Sequence, residues 1–308
     1  VSQRRVGSGP RLIEPFVHIR VFPVVGRIKE AARTVKGVHK VVRVGVICAP
    51  AHGNHHFFGL LEFAAFLCPR LHADVDTEFG IQRFDALLER RTAGEPFAYL
   101  VGNAFFCGLE FAVSPAVLIP REDTGVLVAQ ALERAKAIPA PAVVDLGTGS
   151  GIVAIVLAKL CPNAEVTAVD VSPAALAVAR TNAERHGVHV RFLLGDWYSP
   201  LGEKRFDLIV SNPPYVVDGD PHLAQNGLPF EPQTALTDGV AGGDGLDCIR
   251  AIVDGASAHL QPGGWLLMEH GYDQAVQVRE LLAAAGFSDV ASWRDSAAIE
   301  RVSGGCLP

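Results

Sequence analysis

The chain has 308 residues, 49% of them hydrophobic and 19% charged, with 31 glycines and a formal net charge of −6. This composition excludes a disordered or fibrous protein and leaves room for one large α/β domain and a smaller one; the negative balance excludes a molecule built as a whole to embrace phosphate backbone. Six cysteines, at positions 48, 68, 107, 161, 248 and 306, show no CxxC spacing, which excludes a zinc ribbon or disulfide framework and predicts a reducing, cytoplasmic setting.

Residues 1–75 carry eleven Lys/Arg against four Asp/Glu, so the remainder is acidic. Within this stretch "GRIKEAARTVKG" reads as a short helix and "VHKVVRVGVICAP" as a strand, but neither has a clean period, and little stable order is expected. Cys48, His52, His55 and His56 bunch in "CAPAHGNHHFF"; a solvated histidine-rich loop is the preferred reading over a metal site. "FFGLLEFAAFLC" is too short for a membrane span and contains Glu62, so a core helix is predicted. No basic, apolar and small-residue leader opens the chain. It starts with Val1 and its only methionine is Met268, which suggests a fragment, an alternative start or a misread upstream region.

From residue 82 the pattern becomes orderly. "QRFDALLERR" is an amphipathic helix. "GEPFAYLVGNAFFCGLEFAVSPAVLIPRED" is rich in aromatic and β-branched residues around a Gly-Asn pair and predicts a hairpin connector. Strands and helices then alternate: "AVVDLG" before "GIVAIVLAKLC", "EVTAVD" before "SPAALAVARTNAERHG", and "HVRFLLGD" before "FDLIVSN". "GLDCIRAIVDGASAHL", "GGWLLMEHG" and "DQAVQVRELLAAAG" continue the alternation to two short strands near "DVASWRD" and "IERVSGG". This order predicts a mostly parallel sheet covered on both faces. The expected organisation is an N-terminal region over 1–95, a β-hairpin connector over 96–120 and a large α/β domain over 121–308.

Two places carry chemistry. In "VVDLGTGSGIVAI", Gly147, Gly149 and Gly151 separate a strand from a helix, with Thr148 and Ser150 between them. Glycine lets backbone turn sharply and approach a ligand, and the helix start offers free N–H groups. The spacing is G-x-G-x-G after Asp145, which differs from the G-x-G-x-x-G of dinucleotide binders. Asp170 ends the next strand, where a carboxylate can accept both hydroxyls of a ribose. Asp196 and Trp197 close the third strand and can flank an adenine ring. Each marker has a packing or helix-capping reading of its own; together they resemble the S-adenosylmethionine site of class I methyltransferases.

The second place is "SNPPY", which ends the fourth strand. Ligands of open α/β sheets sit beyond the carboxyl ends of the strands. Pro213 and Pro214 stiffen the turn. The Asn212 side-chain carbonyl and the Pro213 backbone carbonyl form a pair of acceptors suited to the two donors of an NH2 group, and Tyr215 offers a flat face to a planar one. An amide or aromatic amine held this way needs position and electrostatics more than a strong base, so no Asp or His base is assigned.

The stretches from "GEPFAYLVGN" through "SNPPYVVDGDPHL", "LPFEPQTAL" and "GGWLLMEHG" to "RDSAAIERV" resemble the release-factor glutamine methyltransferases over roughly residues 82–305. The resemblance implies a helical N-terminal domain joined by a β-hairpin to a seven-stranded Rossmann-like sheet. It implies methyl transfer from S-adenosylmethionine, leaving S-adenosylhomocysteine, to the glutamine amide of the Gly-Gly-Gln loop of peptide chain release factors. Cofactor contacts carry over to Gly147–Gly151, Asp170, Trp197 and Asn212, and substrate-amide contacts to Asn212, Pro213, Pro214 and Tyr215; no metal, membrane or direct nucleic-acid binding is implied. The sequence departs from the family at Cys107, Gly125 and Ala298, and residues 1–75 do not resemble its helical domain. A ribosomal protein as the glutamine substrate, a nucleic-acid amino group, and a non-catalytic cofactor-binding module are the competing readings.

Overall fold

The computed structural model describes residues 78–308, and Asp85–Pro308 form one compact unit. The helix, strand, core-helix and histidine-cluster readings of residues 1–75 lie outside the described residues. Helix α1 (Glu78–Thr92) and the short helix α2 (Phe97–Val101) lead into a hairpin of β1 (Asn103–Phe106) and β2 (Leu109–Ala112). The Gly-Asn pair is not the hairpin turn: Gly102, at φ 73°, caps α2, and Asn103 starts β1. The turn is Cys107-Gly108, both at positive φ (48° and 76°), the backbone a two-residue turn needs to match the strand twist.

The main sheet contains β3 (Ala142–Leu146), β4 (Glu165–Asp170), β5 (Arg191–Leu194), β6 (Phe206–Ser211), β9 (Leu260–Glu269), β10 (Ser288–Arg294) and β11 (Glu300–Cys306). Its strand order is β10-β11-β9-β6-β3-β4-β5. The five strands from β9 to β5 run parallel, and β10 and β11 add an antiparallel edge. The chain runs outward from β3 to β5 and returns to β6 on the other side of β3. That reversal opens a crevice at the carboxyl ends of β3 and β6.

Successive residues of the central strands feed two cores, as the period of two requires. Val143 and Leu208 pack with Leu127 and Ala131 of α3 (Gly125–Ala135), Ile155 of α4 (Ile152–Leu160) and Ala183 of α5 (Pro173–His186). Their neighbours Val144 and Ile209 pack with Ile249 and Ile252 of α6 (Asp247–His259) and Leu282 of α7 (Ala275–Ala284). Burial on both faces explains why these strands read as continuous apolar runs. Helix α3, inside the large domain expected over 121–308, was not read as a helix from the sequence, because "GVLVAQALERA" follows a proline-containing loop and opens on glycine, without a capping side chain. Between β6 and α6, the strands β7 (Val216–Asp218) and β8 (Thr237–Ala241) pair in parallel and frame an insert of three short 3-10 turns.

Candidate active site

Four strand ends deliver their side chains to one cavity of about 620 Å³, within the ~300–1,000 Å³ range of small-molecule sites. From β3 come Asp145 and the loop residues Gly147, Thr148, Gly149 and Ser150. From β4 comes Asp170, from β5 Asp196 and Trp197, and from β6 Asn212 and Pro214. Gly151, Pro213 and Tyr215, also expected at the site, do not line this cavity.

The glycine loop is held by the carboxylates it was expected to accompany. Asp145 is buried; its Oδ2 accepts from Thr148 Oγ1 at 2.6 Å and from the Ala154 backbone N–H at 3.2 Å. Burial pushes its pKa up to about 7 against the pull of those two bonds, and neighbouring Asp170 adds to the rise. Asp170 accepts from the Gly149 N–H through Oδ2 and from the Ser172 N–H through Oδ1, both at 2.8 Å. It therefore ties the loop to the end of β4, and its own pKa is raised by burial. A Cβ at Gly147 would stand 3.4 Å from the Trp197 ring, so the indole closes directly over the loop. Gly151 has a different task. At φ 84°, a Cβ there would come within 2.9 Å of Ile155 and 3.1 Å of Ala179, so glycine lets α4 and α5 pack closely behind the cavity.

The "NPPY" turn is fixed from several sides. Asn212 donates from Nδ2 to Thr124 Oγ1 at 3.2 Å, and among the described residues nothing donates to its Oδ1 or to the Pro213 carbonyl. The Tyr215 carbonyl accepts from Gln274 Nε2 at 3.0 Å. A Cβ at Gly245 would lie 2.5 Å from that same carbonyl, so only glycine fits behind the turn. The Tyr215 hydroxyl donates to Glu269 Oε1 at 3.2 Å. Its ring packs against the core that contains Ile249 and Met268.

Three structural partners were not found in the sequence. Asn182 of α5, fully buried, accepts from the Ala112 N–H and donates to the carbonyls of Ala112 and Ser150, which joins the hairpin to the glycine loop. Glu231 in the insert accepts from the Ile119 N–H at 2.9 Å and from Arg121, which anchors the insert to a cavity wall. Thr124 stands behind Asn212. A lone buried Asn, Glu or Thr carries no periodic signal; Thr124 and Glu231 fall in stretches that carry the family resemblance, "PREDT" and "LPFEPQTAL", but nothing there assigned them a role.

This arrangement defines a class of protein: a cofactor-dependent methyltransferase on an open α/β sheet. The family model described as "Methyltransferase small domain" matches residues 122–227. The chain has the fold of the 16S rRNA N2 G1207 methyltransferase of T. thermophilus solved with AdoMet and guanosine, at 23% identity and a TM-score of 0.50, over 67% of this chain and 50% of that one. It is 55% identical over 222 residues to the release factor glutamine methyltransferase of Bordetella pertussis, covering 72% of this chain and 81% of the relative. It is 54% identical over 233 residues to the Burkholderia pseudomallei protein of the same name, covering 73% and 81%. The chain belongs to the release factor glutamine methyltransferase family.

Proposed function

We propose that this protein transfers a methyl group from S-adenosylmethionine to the side-chain amide nitrogen of the glutamine in the Gly-Gly-Gln loop of peptide chain release factors. The observation that carries the reading is the placement of the Asn212 amide on the wall of the glycine-lined cavity, with its Nδ2 already engaged by Thr124. That engagement leaves the amide oxygen as the face offered to a ligand.

The cavity residues fit the cofactor. Asp170 would hold ribose hydroxyls, Trp197 and Asp196 would flank the adenine, and the Gly147–Ser150 loop with Asp145 would take the amino-acid end. Two buried carboxylates on one wall suit a ligand that is cationic at sulfur and nitrogen. When bound, the cofactor supplies an electrophilic methyl group on a sulfonium.

The protein's own residues do the rest. Asn212 Oδ1 and the Pro213 carbonyl accept the two N–H bonds of the substrate amide. Both bonds draw electron density onto a nitrogen whose lone pair is otherwise delocalised, and they strengthen as positive charge develops there. The Pro-Pro geometry fixes the acceptors in advance, so little reorganisation is required at the moment of reaction. The extra proton on the methylated nitrogen leaves to water, and no side-chain base is invoked. Residues 1–95 would dock the release factor, 96–120 would connect, and 121–308 would carry the chemistry.

The test is incubation with labelled S-adenosylmethionine and, in parallel, a release factor, a large-subunit ribosomal protein extract and duplex DNA. Label is expected on the release factor and is expected to vanish when its loop glutamine is replaced. Label on DNA or on a ribosomal protein alone would overturn the proposal.

A further inference from the structure

Two consecutive prolines make the turn that carries Asn212 hard to hold. Pro213 and Pro214 have no N–H to give, so the segment is fixed only through its carbonyls, its side chains and the residues that flank it. Its entrance is tied to the sheet: Ser211, the last residue of β6, donates from Oγ to the Leu146 carbonyl at 2.7 Å. At its exit the main chain has two anchors. The Val216 N–H donates to the Leu236 carbonyl at 2.9 Å, and the Tyr215 carbonyl accepts from a side chain outside the turn, Gln274.

Gln274 occupies the N-cap position of α7. A side chain at that position commonly turns back to accept from its own helix. Gln274 makes no such bond and reaches away instead. Its backbone is fixed, with the N–H donating to the Gly271 carbonyl at 3.1 Å and the carbonyl accepting from the Val278 N–H at 3.0 Å. The residue is buried, and its amide joins three segments. Nε2 donates to the Tyr215 carbonyl at 3.0 Å and to the Asp244 carbonyl, in the loop between β8 and α6, at 3.3 Å. Oε1 accepts from the Gly271 N–H, in the loop after β9, at 2.8 Å. Both amide protons and the oxygen are engaged, so the orientation of the group is determined. Two glycines make the slot it fills. A Cβ at Gly245 would stand 3.2 Å from Nε2, and one at Gly271 would stand 2.9 Å from Oε1.

We propose that Gln274 is a positioning residue for methyl transfer: its amide pins the exit of the Asn-Pro-Pro-Tyr turn to the loops after β8 and β9, and so fixes where the Asn212 and Pro213 acceptors point. The prolines make this hold effective. With φ locked at two successive residues, the turn has few torsions left to absorb a shift of the Tyr215 carbonyl, and the shift is passed on to Pro213. A misplacement on the order of 1 Å at a reacting group costs about a hundredfold in rate even when its cause lies away from the chemistry. Gln274 does not line the cavity, so it acts on turnover without touching the cofactor. This inference rests on the methyl-transfer reading above and extends it to a residue outside the cavity.

Three variants of the full chain test it. Q274A removes the amide. G271A keeps every side chain of the parent but adds a Cβ against Oε1, which displaces the amide. The third variant carries both changes. In steady-state methylation of a release factor, Q274A is expected to lower kcat by about thirtyfold and G271A by about fivefold or more, with KM and the cofactor dissociation constant within about twofold of the parent. G271A is expected to cost nothing further in kcat once Q274A is present, because its effect runs through the amide. A second measurement uses no substrate. Exchange of the Val216 amide hydrogen, next to the anchored carbonyl, is expected to quicken by about tenfold or more in Q274A and in G271A. A kcat within about twofold of the parent in both single variants, losses that multiply in the double variant, or unchanged exchange at Val216 would overturn the proposal. Should Q274A fail to fold, the kcat and the exchange of G271A decide it. A parent that methylates no release factor removes the substrate assignment, and exchange at Val216 still decides whether Gln274 holds the turn.

Discussion

Asn212 is the residue on which position and chemistry meet. Its amide nitrogen donates to Thr124, and the residue lines the same cavity as Asp145 and Asp170. On the proposed reading, truncation to alanine would remove one of two acceptors from the reacting nitrogen and leave the glycine loop intact, since that loop is held by Asp170 and Asn182. Asn212→Ala is therefore expected to lower kcat by roughly a hundredfold while the dissociation constant of the cofactor barely moves. Single-turnover methylation together with calorimetric cofactor titration separates the two effects. Near-normal turnover would remove Asn212 from the reaction, and a parallel loss of cofactor affinity would make it a binding residue.

At the scale of elements, the hairpin shows how local and distant forces share a structure. Its turn places Cys107 at φ 48°, a conformation that asparagine tolerates far better than cysteine, and the residue is exposed. Cys107→Asn is expected to raise stability by about 0.5–1 kcal/mol in urea unfolding; a decrease would mean that the thiol makes a contact that matters. Asn182 acts on the other end of the same hairpin. Its amide bridges β2 and the glycine loop through three hydrogen bonds inside a fully buried site. Asn182→Ala should cost about 2–4 kcal/mol, with faster amide exchange at Ala112 as its specific mark. Unchanged exchange there would show that the hairpin's apolar contacts and its bonds to Arg185 and His186 hold it without the Asn182 bridge. These elements also show what sequence could reveal. The strand-ending acids and the glycine loop were legible because each is a local pattern of residue type and spacing. The hairpin was legible from its aromatic strands, but the Gly-Asn pair misplaced its turn, because glycine serves equally well as the cap of a short helix and Gly102 does so. Gly151 was assigned to the ligand because the motif lists it with Gly147 and Gly149, whereas the contact that demands glycine is with Ala179, 28 positions away. Asn182, Thr124 and Glu269 were not legible, since their partners are set by the sheet order β9-β6-β3 and by helix packing on it.

Across the whole molecule, the doubly wound topology gathers acids at one end of the sheet, and folding leaves them there with little water. Asp145, on the cavity wall, and Glu269, behind the turn, are each raised to about 7, mainly by burial, and Asp170 is raised as well. A carboxyl group whose pKa is higher in the folded than in the unfolded state binds more protons when folded. Between the two pKa values the slope of stability against pH is then negative. For Asp145 the window runs from its ordinary value of 3.8 to about 7, and stability is lost as pH rises through it. Other groups act in the opposite sense: burial lowers His270, which disfavours folding as pH falls below its ordinary 6.5, and the hydrogen-bonded acids Asp220, Asp244 and Asp295 are lowered and matter only in stronger acid. A comparison with Asp145→Asn cancels these shared contributions. Asparagine keeps an acceptor for Thr148 or the Ala154 N–H but never carries the charge. The variant is therefore expected to gain on the parent, in the absence of cofactor, by an amount that grows from pH 4 to pH 7 toward a ceiling on the order of 4 kcal/mol and is flat above. Urea unfolding at half-unit pH steps measures that difference. A difference independent of pH would show that the carboxylate is solvated well enough to ionise freely, and would remove the argument that the cavity holds a strained negative charge in readiness for a cationic ligand. The same variant should bind S-adenosylmethionine more weakly than the parent at pH 8, where the parent's carboxylate is ionised, and the disparity should shrink toward pH 6 as that carboxylate takes up its proton.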